Sequence, residues 1–385
     1  MTRSKFLYLR FILLLCLSSL IFVGCGDAGI GKLNVARGDH AASILKDGRI
    51  LVSGGRGDWG AGSRSSAFGT TEILDLNTNL WTLVSPLINP RYKHTQTLLD
   101  DGSLLVVGGS PNAVKDLTSE LYNPANNTWT ETSNMNYTRR QGHTATLLPN
   151  GEVLVTGGLA EVNGNKKIIS KVEIYNPKNG SWRLVSDMTM AREKHKAILL
   201  TNGKVLVVGS DNEEQFIRGE TTAELYDPTN DTWTDAGKLS DEHAEGFTAV
   251  LLSNDSVLIS GGGTTGRRLT PETTATMEVY DTSDSTWSTV EPMTTKSWIH
   301  TATLLNNGNI LFIKPSSLEI YNTSSGTWTH IGLLPKKREG HTAVLLSDGR
   351  TLIIGGHIVA YGRSGGLSTM AAHDSVLVYD PAVEW

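Results

Sequence analysis

The chain has 385 residues, of which 39% are hydrophobic and 19% charged, with a formal charge of −5. An acidic balance of this kind argues against nucleic acid as a partner. Its two cysteines, Cys16 and Cys25, both fall near the N-terminus, so no disulfide framework can staple the rest of the chain.

Residues 1–24 read as an export signal. Arg3, Lys5 and Arg10 form a basic start, and Phe11 to Phe22 is an apolar run too short for a comfortable membrane span. The run ends in Val23-Gly24-Cys25, which resembles a bacterial lipobox, with Phe22 where Leu is usual. That resemblance implies lipidation of Cys25 and a chain exported to, and anchored on, a membrane of a bacterial cell envelope. The alternative is ordinary cleavage nearby that leaves Cys25 free. Removing the signal takes away three basic and no acidic residues.

Residues 25–35 follow as a tether, and residues 36–385 as one domain without a composition shift. Residues 31–40 nevertheless align without gaps to residues 186–195, pairing Lys32-Leu33 with Asp187-Met188 and His40 with His195. The N-terminal stretch is therefore expected to act as a closing strand: residues 28–35 should pair with Val376 to Asp380 of the last unit.

From His40 onward the chain repeats one pattern seven times. A step of 15 residues joins an entry His to the second of two glycines (His143 to Gly158), and a step of 7 joins Tyr175 to Trp182. The first step recurs from His40, His94, His195, Phe247, His300 and His341. The second recurs from Leu74, Tyr122, Tyr226, Tyr280 and Tyr321, and the last copy, Tyr379 to Trp385, is one residue short. Between the two steps the spacing wanders from 6 residues (Pro315 to Tyr321) to 23 (Gly356 to Tyr379). Fixed blocks joined by elastic loops are the mark of stacked repeats.

Each fixed block is a β-hairpin. Runs rich in Thr, Val and Leu flank Asn150-Gly151, Asp47-Gly48, Asp101-Gly102, Asn202-Gly203, Asn307-Gly308 and Asp348-Gly349, dipeptides that favour the two-residue turn with φ > 0. Unit 5 has Asn254-Asp255 there. The second run is apolar at consecutive positions, as in Leu104-Leu105-Val106-Val107, which predicts a strand buried on both faces. The Tyr and Trp blocks supply a third and a fourth strand. Four antiparallel strands per unit, seven times, predict an all-β, seven-bladed propeller. The paired glycines, the Tyr and the Trp seven residues later resemble the kelch repeat. The H-T-A-x-L-L-x-D/N-G-x-x-L-V-x-G-G block is most similar to the kelch propeller of galactose oxidase and related bacterial chains, from about residue 36 to 385.

Function is expected on the face that carries the elastic loops, where the turns entering each unit also lie. The repeated Arg and His read as structural, and the Trp series as packing. Departures from the repeat mark the candidates. Unit 5 replaces the Arg-x-x-His entry with a stretch holding Glu242, His243 and Glu245, and unit 6 has Trp298 at its entry and Lys314-Pro315 where glycines belong. Unit 6 also has a short connection between two long ones. This predicts a notch floored by Trp298 and Lys314 and walled by Arg267, Arg268, Tyr361 and Arg363, suited to an acidic sugar or a carboxylate-bearing peptide.

The leading expectation is a non-catalytic module that binds a protein or glycan. The alternative is a sugar epimerase or hydrolase on the same scaffold, with Glu242 or Glu245 and His243 as acid and base. The galactose-oxidase resemblance does not extend to its copper-radical chemistry, which needs a Cys cross-linked to a metal-ligating Tyr; residues 36–385 contain no Cys. No cofactor and no metal are expected.

Overall fold

A computed structural model describes residues 29–58, 66–109, 117–139, 141–209, 221–264, 272–361 and 367–383. These residues form seven antiparallel sheets arranged as the blades of a propeller, six with four strands and the last with three. In blade 2 the strands are Thr95–Leu98, Leu104–Val107, Ser119–Asn123 and Thr128–Glu131, hydrogen-bonded in chain order. The first strands of neighbouring blades touch around the whole ring, that of blade 7 (Thr342–Leu345) meeting that of blade 1 (Ala41–Ile44).

The turn chemistry behaves as the dipeptides dictate. Gly151 takes φ 83°, and Asp255 accepts φ 68° in the unit that lacks the glycine. Every second strand is buried along its whole length, as Leu104–Val107 is. This follows from its place in a blade, where both faces meet a neighbouring sheet. Seven apolar clusters fill the seven blade-to-blade gaps; one joins Leu51 and Ile73 of blade 1 to Leu104 and Val106 of blade 2.

The repeat residues are the mortar. Tyr175 and Trp182 are cross-strand partners with ring centroids 5.1 Å apart. Indole N–H groups also reach across blades, that of Trp233 donating to Ser186 O at 2.8 Å. The entry arginines Arg37, Arg91, Arg139 and Arg192 are buried and ion-paired to third-strand glutamates, Arg37 to Glu72 at 2.7 Å. Glu72 also accepts the backbone N–H groups of Asn34 and Val35, so one carboxylate fastens the incoming chain to its blade. The entry histidines tie every blade except the fifth, which has Phe247, to the one before. His40 Nε2 hydrogen-bonds Thr342 Oγ1 at 2.9 Å, and His195 Nε2 bonds Thr156 Oγ1 at 2.7 Å. The first glycine of each pair is where the next histidine ring lies: a Cβ on Gly108 would sit 2.6 Å from His143 Cε1.

The join between blades 7 and 1 differs from expectation in detail. Residues 29–37 form no strand against Val376–Tyr379. Instead Leu33 N–H donates to Asp374 O at 2.9 Å, ahead of that strand, while Ile30 and Leu33 fill the cluster between the two blades. Met188 N–H meets Ser170 O in the same way in blade 3. The segment thus supplies the tail of a fourth strand, which crosses to the next blade, and not the strand itself.

Candidate functional site

The channel opens, on the elastic-loop face, into a cavity of about 490 Å³. Its rim is built by the residue just before each entry His or Phe: Asp39, Lys93, Gly142, Lys194, Gly246, Ile299 and Gly340. All seven have left-handed backbones, with φ between 54° and 84°. They form a belt in which Lys93 N–H donates to Asp39 O at 2.9 Å, Asp39 N–H to Gly340 O at 2.9 Å, and Ile299 N–H to Gly246 O at 3.0 Å. Three members are Gly, for which φ > 0 carries no steric cost. Ile299 is β-branched, and such a residue held there stores of order 1–3 kcal/mol of strain, which concentrates at functional sites.

The charges at the mouth are mostly matched. Arg56 Nε holds Asp39 Oδ2 at 2.6 Å and stacks 5.0 Å from the Tyr92 ring centre. Lys194 Nζ meets Glu245 Oε2 at 3.1 Å, and Lys337 Nζ meets Glu339 Oε1 at 3.0 Å. Burial alone would push the Asp39 carboxyl up, but Lys93, Arg56 and His357 together hold it below its ordinary value. Lys196, at the start of the blade 4 first strand (Lys196–Leu199), points its ammonium at the Phe247 ring, 5.6 Å from the centre. Burial lowers its pKa, with Glu245 acting in the opposite sense.

The residues singled out by sequence divide into three groups. Trp298 and Glu245 line the mouth, together with Val359 and Met370 from the long blade 7 hairpin (His357–Tyr361 and Leu367–Ala372). Tyr361 ends the first strand of that hairpin. Lys314 and His243 lie behind the mouth, inside their blades. Lys314 Nζ is buried on Glu319 Oε2 at 2.7 Å and on the hydroxyls of Thr294 and Thr295. It supplies from a glycine position the cation that unit 6 lost when Ser297 took the entry Arg place. His243 is fully enclosed, bonded to Gly261 O at 2.7 Å and Glu278 Oε1 at 3.2 Å, as the entry Arg is elsewhere. Glu242 is half-buried in the turn before it, its N–H bonded to Asp241 Oδ1. Arg267, Arg268, Arg363 and Cys25 lie outside the described residues.

The left-handed belt and Lys196 were not singled out by sequence. The belt has no residue signature, since four of its seven members are not Gly. Lys196 has one: it stands where the repeat otherwise has Ala41, Thr95, Thr144, Thr248, Thr301 or Thr342, right after the entry position. Among the described residues no group of three or more His, Cys, Asp or Glu is placed to hold a metal ion.

The family described as the Attractin/LZTR1 β-propeller matches residues 31–270. Kelch-like protein terF of Aspergillus terreus is 24% identical over 265 residues, which cover 65% of this chain and 55% of that protein. Human Kelch-like protein 23 is 22% identical over 197 residues, 51% of this chain and 32% of that protein. The chain thus spans about half, or less, of the length of these relatives. Among solved structures, a fungal alcohol oxidase of the AA5 family in complex with copper has a TM-score of 0.67 at 18% identity, covering 91% of this chain and 76% of that one. That likeness is one of fold.

Proposed function

Because the chain belongs to the Attractin/LZTR1 family of kelch-type β-propellers, we propose that it is a non-catalytic binding module whose protein or glycan ligand seats in the channel mouth. The observation that carries this reading is the composition of the mouth. It is concave, it holds the Trp298 indole, and it gathers departures from an otherwise strict repeat. Acid–base catalysis is less well supported. Among the described residues Asp39, Glu245 and Glu339 are each engaged by a cation, and no hydrogen bond joins a mouth carboxylate to an imidazole. The His243–Glu278 pair is enclosed within blade 5. A screen of glycan and peptide arrays with the soluble form would identify the ligand. Trp298→Ala should then weaken binding by roughly 1–3 kcal/mol, with circular dichroism unchanged. Equal affinity in the variant would move the site elsewhere on the propeller.

The module is further proposed to work from a bacterial envelope membrane, held there by lipid on Cys25. Support comes from the Val23-Gly24-Cys25 run after an apolar stretch, in a chain with no other Cys beyond the signal. Two or more acyl chains anchor stably, whereas one is marginal. Cys25→Ser should release the protein from the membrane fraction. A variant that still fractionates with membranes, and a wild type that takes up no labelled fatty acid, would end this reading.

A further inference from the structure

At six of the seven blade junctions the first-strand wall of the channel is closed by an imidazole bonded to a hydroxyl of the preceding blade: His40 to Thr342, His94 to Ser53, His143 to Thr95, His195 to Thr144, His300 to Thr248 and His341 to Thr301. Such a pair satisfies itself and offers little to a ligand. Between blades 4 and 5 both members change together. Phe247 takes the imidazole place, filling the space over Gly209 that a His ring fills elsewhere, and Lys196 takes the hydroxyl place. Phe247 offers Lys196 a ring face but no acceptor.

The result is a cation without a counter-ion. Among the described residues no hydrogen bond or ion pair reaches Lys196 Nζ, since Glu245, the nearby carboxylate whose charge it feels, is held by Lys194. An ammonium partly withdrawn from water gains strongly from an anion that enters the same cavity. With Arg56 and Lys194 already held by Asp39 and Glu245, the single charge of Lys196 is matched by one negative charge, which suits a carboxylate. The cavity volume suits a single sugar ring, with the Trp298 indole as an apolar face and the Gln141 side chain as a polar contact.

From this geometry we infer that Lys196 anchors the carboxylate of a hexuronic acid, free or as a glycan residue, in the channel mouth between blades 4 and 5. The inference rests on the mouth being the binding site and names the chemistry that it selects. The probes are glucuronate and galacturonate, with glucose as the neutral control and glucose 6-phosphate as the dianionic one, titrated by calorimetry and by NMR of the lysine side chains. Uronate should bind at least ten-fold more tightly than glucose or glucose 6-phosphate, and saturation should raise the pKa of Lys196. Lys196→Met should weaken uronate binding at least ten-fold and leave glucose unchanged. The double variant Lys196→Thr/Phe247→His restores the repeat pair, so it guards against loss of fold, and it should lose uronate in the same way. Uronate bound equally by wild type and both variants, or not bound by wild type, would overturn the inference. A tighter response to glucose 6-phosphate would overturn the carboxylate assignment. If an array ligand is weakened by Trp298→Ala but not by Lys196→Met, the mouth stands and the anion anchor falls; if neither variant matters, the mouth reading itself fails.

Discussion

Lowering the pH from about 6.5 to about 4.5 should unfold this propeller cooperatively, before its carboxylates titrate. Burial, with nearby arginines or lysines adding to it, pushes the imidazoles of His40, His143, His300 and His341 down to about 3. Those of His94 and His195 fall well below their ordinary value for the same reasons. The Nδ1 atoms of all six are buried without a hydrogen-bond partner among the described residues, so protonation would add an unmet donor as well as a charge. Above about 6.5 the ring is neutral in folded and unfolded chains alike, and stability is at its full value. Below that point the unfolded chain takes up protons that the folded one refuses, and stability falls until the depressed folded values are reached. Each such histidine costs up to about 1.4 kcal/mol per pH unit, so six together cost roughly 8 kcal/mol per unit. Set against a typical total of about 5–15 kcal/mol, the midpoint should lie within about one to two units below 6.5. A fluorescence titration with parallel proton-uptake measurement would test this. A fold intact to pH 4, losing structure only with its carboxylates, would refute it.

The second large effect concerns the relocated cation of blade 6. Lys314→Ala should cost about 3–5 kcal/mol, because it leaves the buried Glu319 carboxylate without its charge partner. Both side chains are almost fully buried, at 4% and 6% exposed, so solvent screening offers little relief. In that background Ser297→Arg returns the cation to the entry position used by Arg37, Arg91, Arg139 and Arg192, and most of the loss should be recovered. Urea unfolding at neutral pH reads both steps. A single variant within about 1 kcal/mol of wild type would mean that the pair is worth no more than an exposed one.

Blade 6 also shows where sequence reading reached its limit. The hairpins, the doubly buried second strands and the face bearing the mouth were legible, because each rests on a local pattern: a turn dipeptide, an apolar run, a strand alternation. Ser297 and Lys314 were legible as departures, but their compensation was not. It requires knowing that Lys314 reaches Glu319, the third-strand glutamate that corresponds to the partners of the entry arginines in other blades. Read alone, Lys314 looks available to a ligand, and only the fold turns it inward. His243 misleads in the same manner, since an imidazole beside acidic residues suggests proton transfer until its place in the Arg–Glu arrangement is seen. Lys196 and Phe247 lie in different units, so their joint change emerges only when the end of one junction is matched to the start of the next. The left-handed belt has no side-chain code at all. Loop lengths predicted a notch floored by Trp298, and Trp298 lines the channel mouth, whereas Arg267, Arg268 and Arg363 lie outside the described residues.

The closed ring has a consequence for how the molecule is made. The bond between His40 and Thr342 joins residues 302 positions apart. During synthesis blade 1 emerges early, whereas its second neighbour is the last blade off the ribosome. At about 5–20 residues per second, His40 waits roughly 15–60 s for its acceptor. Throughout that interval Ile30, Leu33, Ile50 and Val52 lack the blade 7 side chains that cover them in the finished ring. A chain that folded as it was made would thus be an arc whose first blade keeps an uncovered apolar face until the seventh arrives.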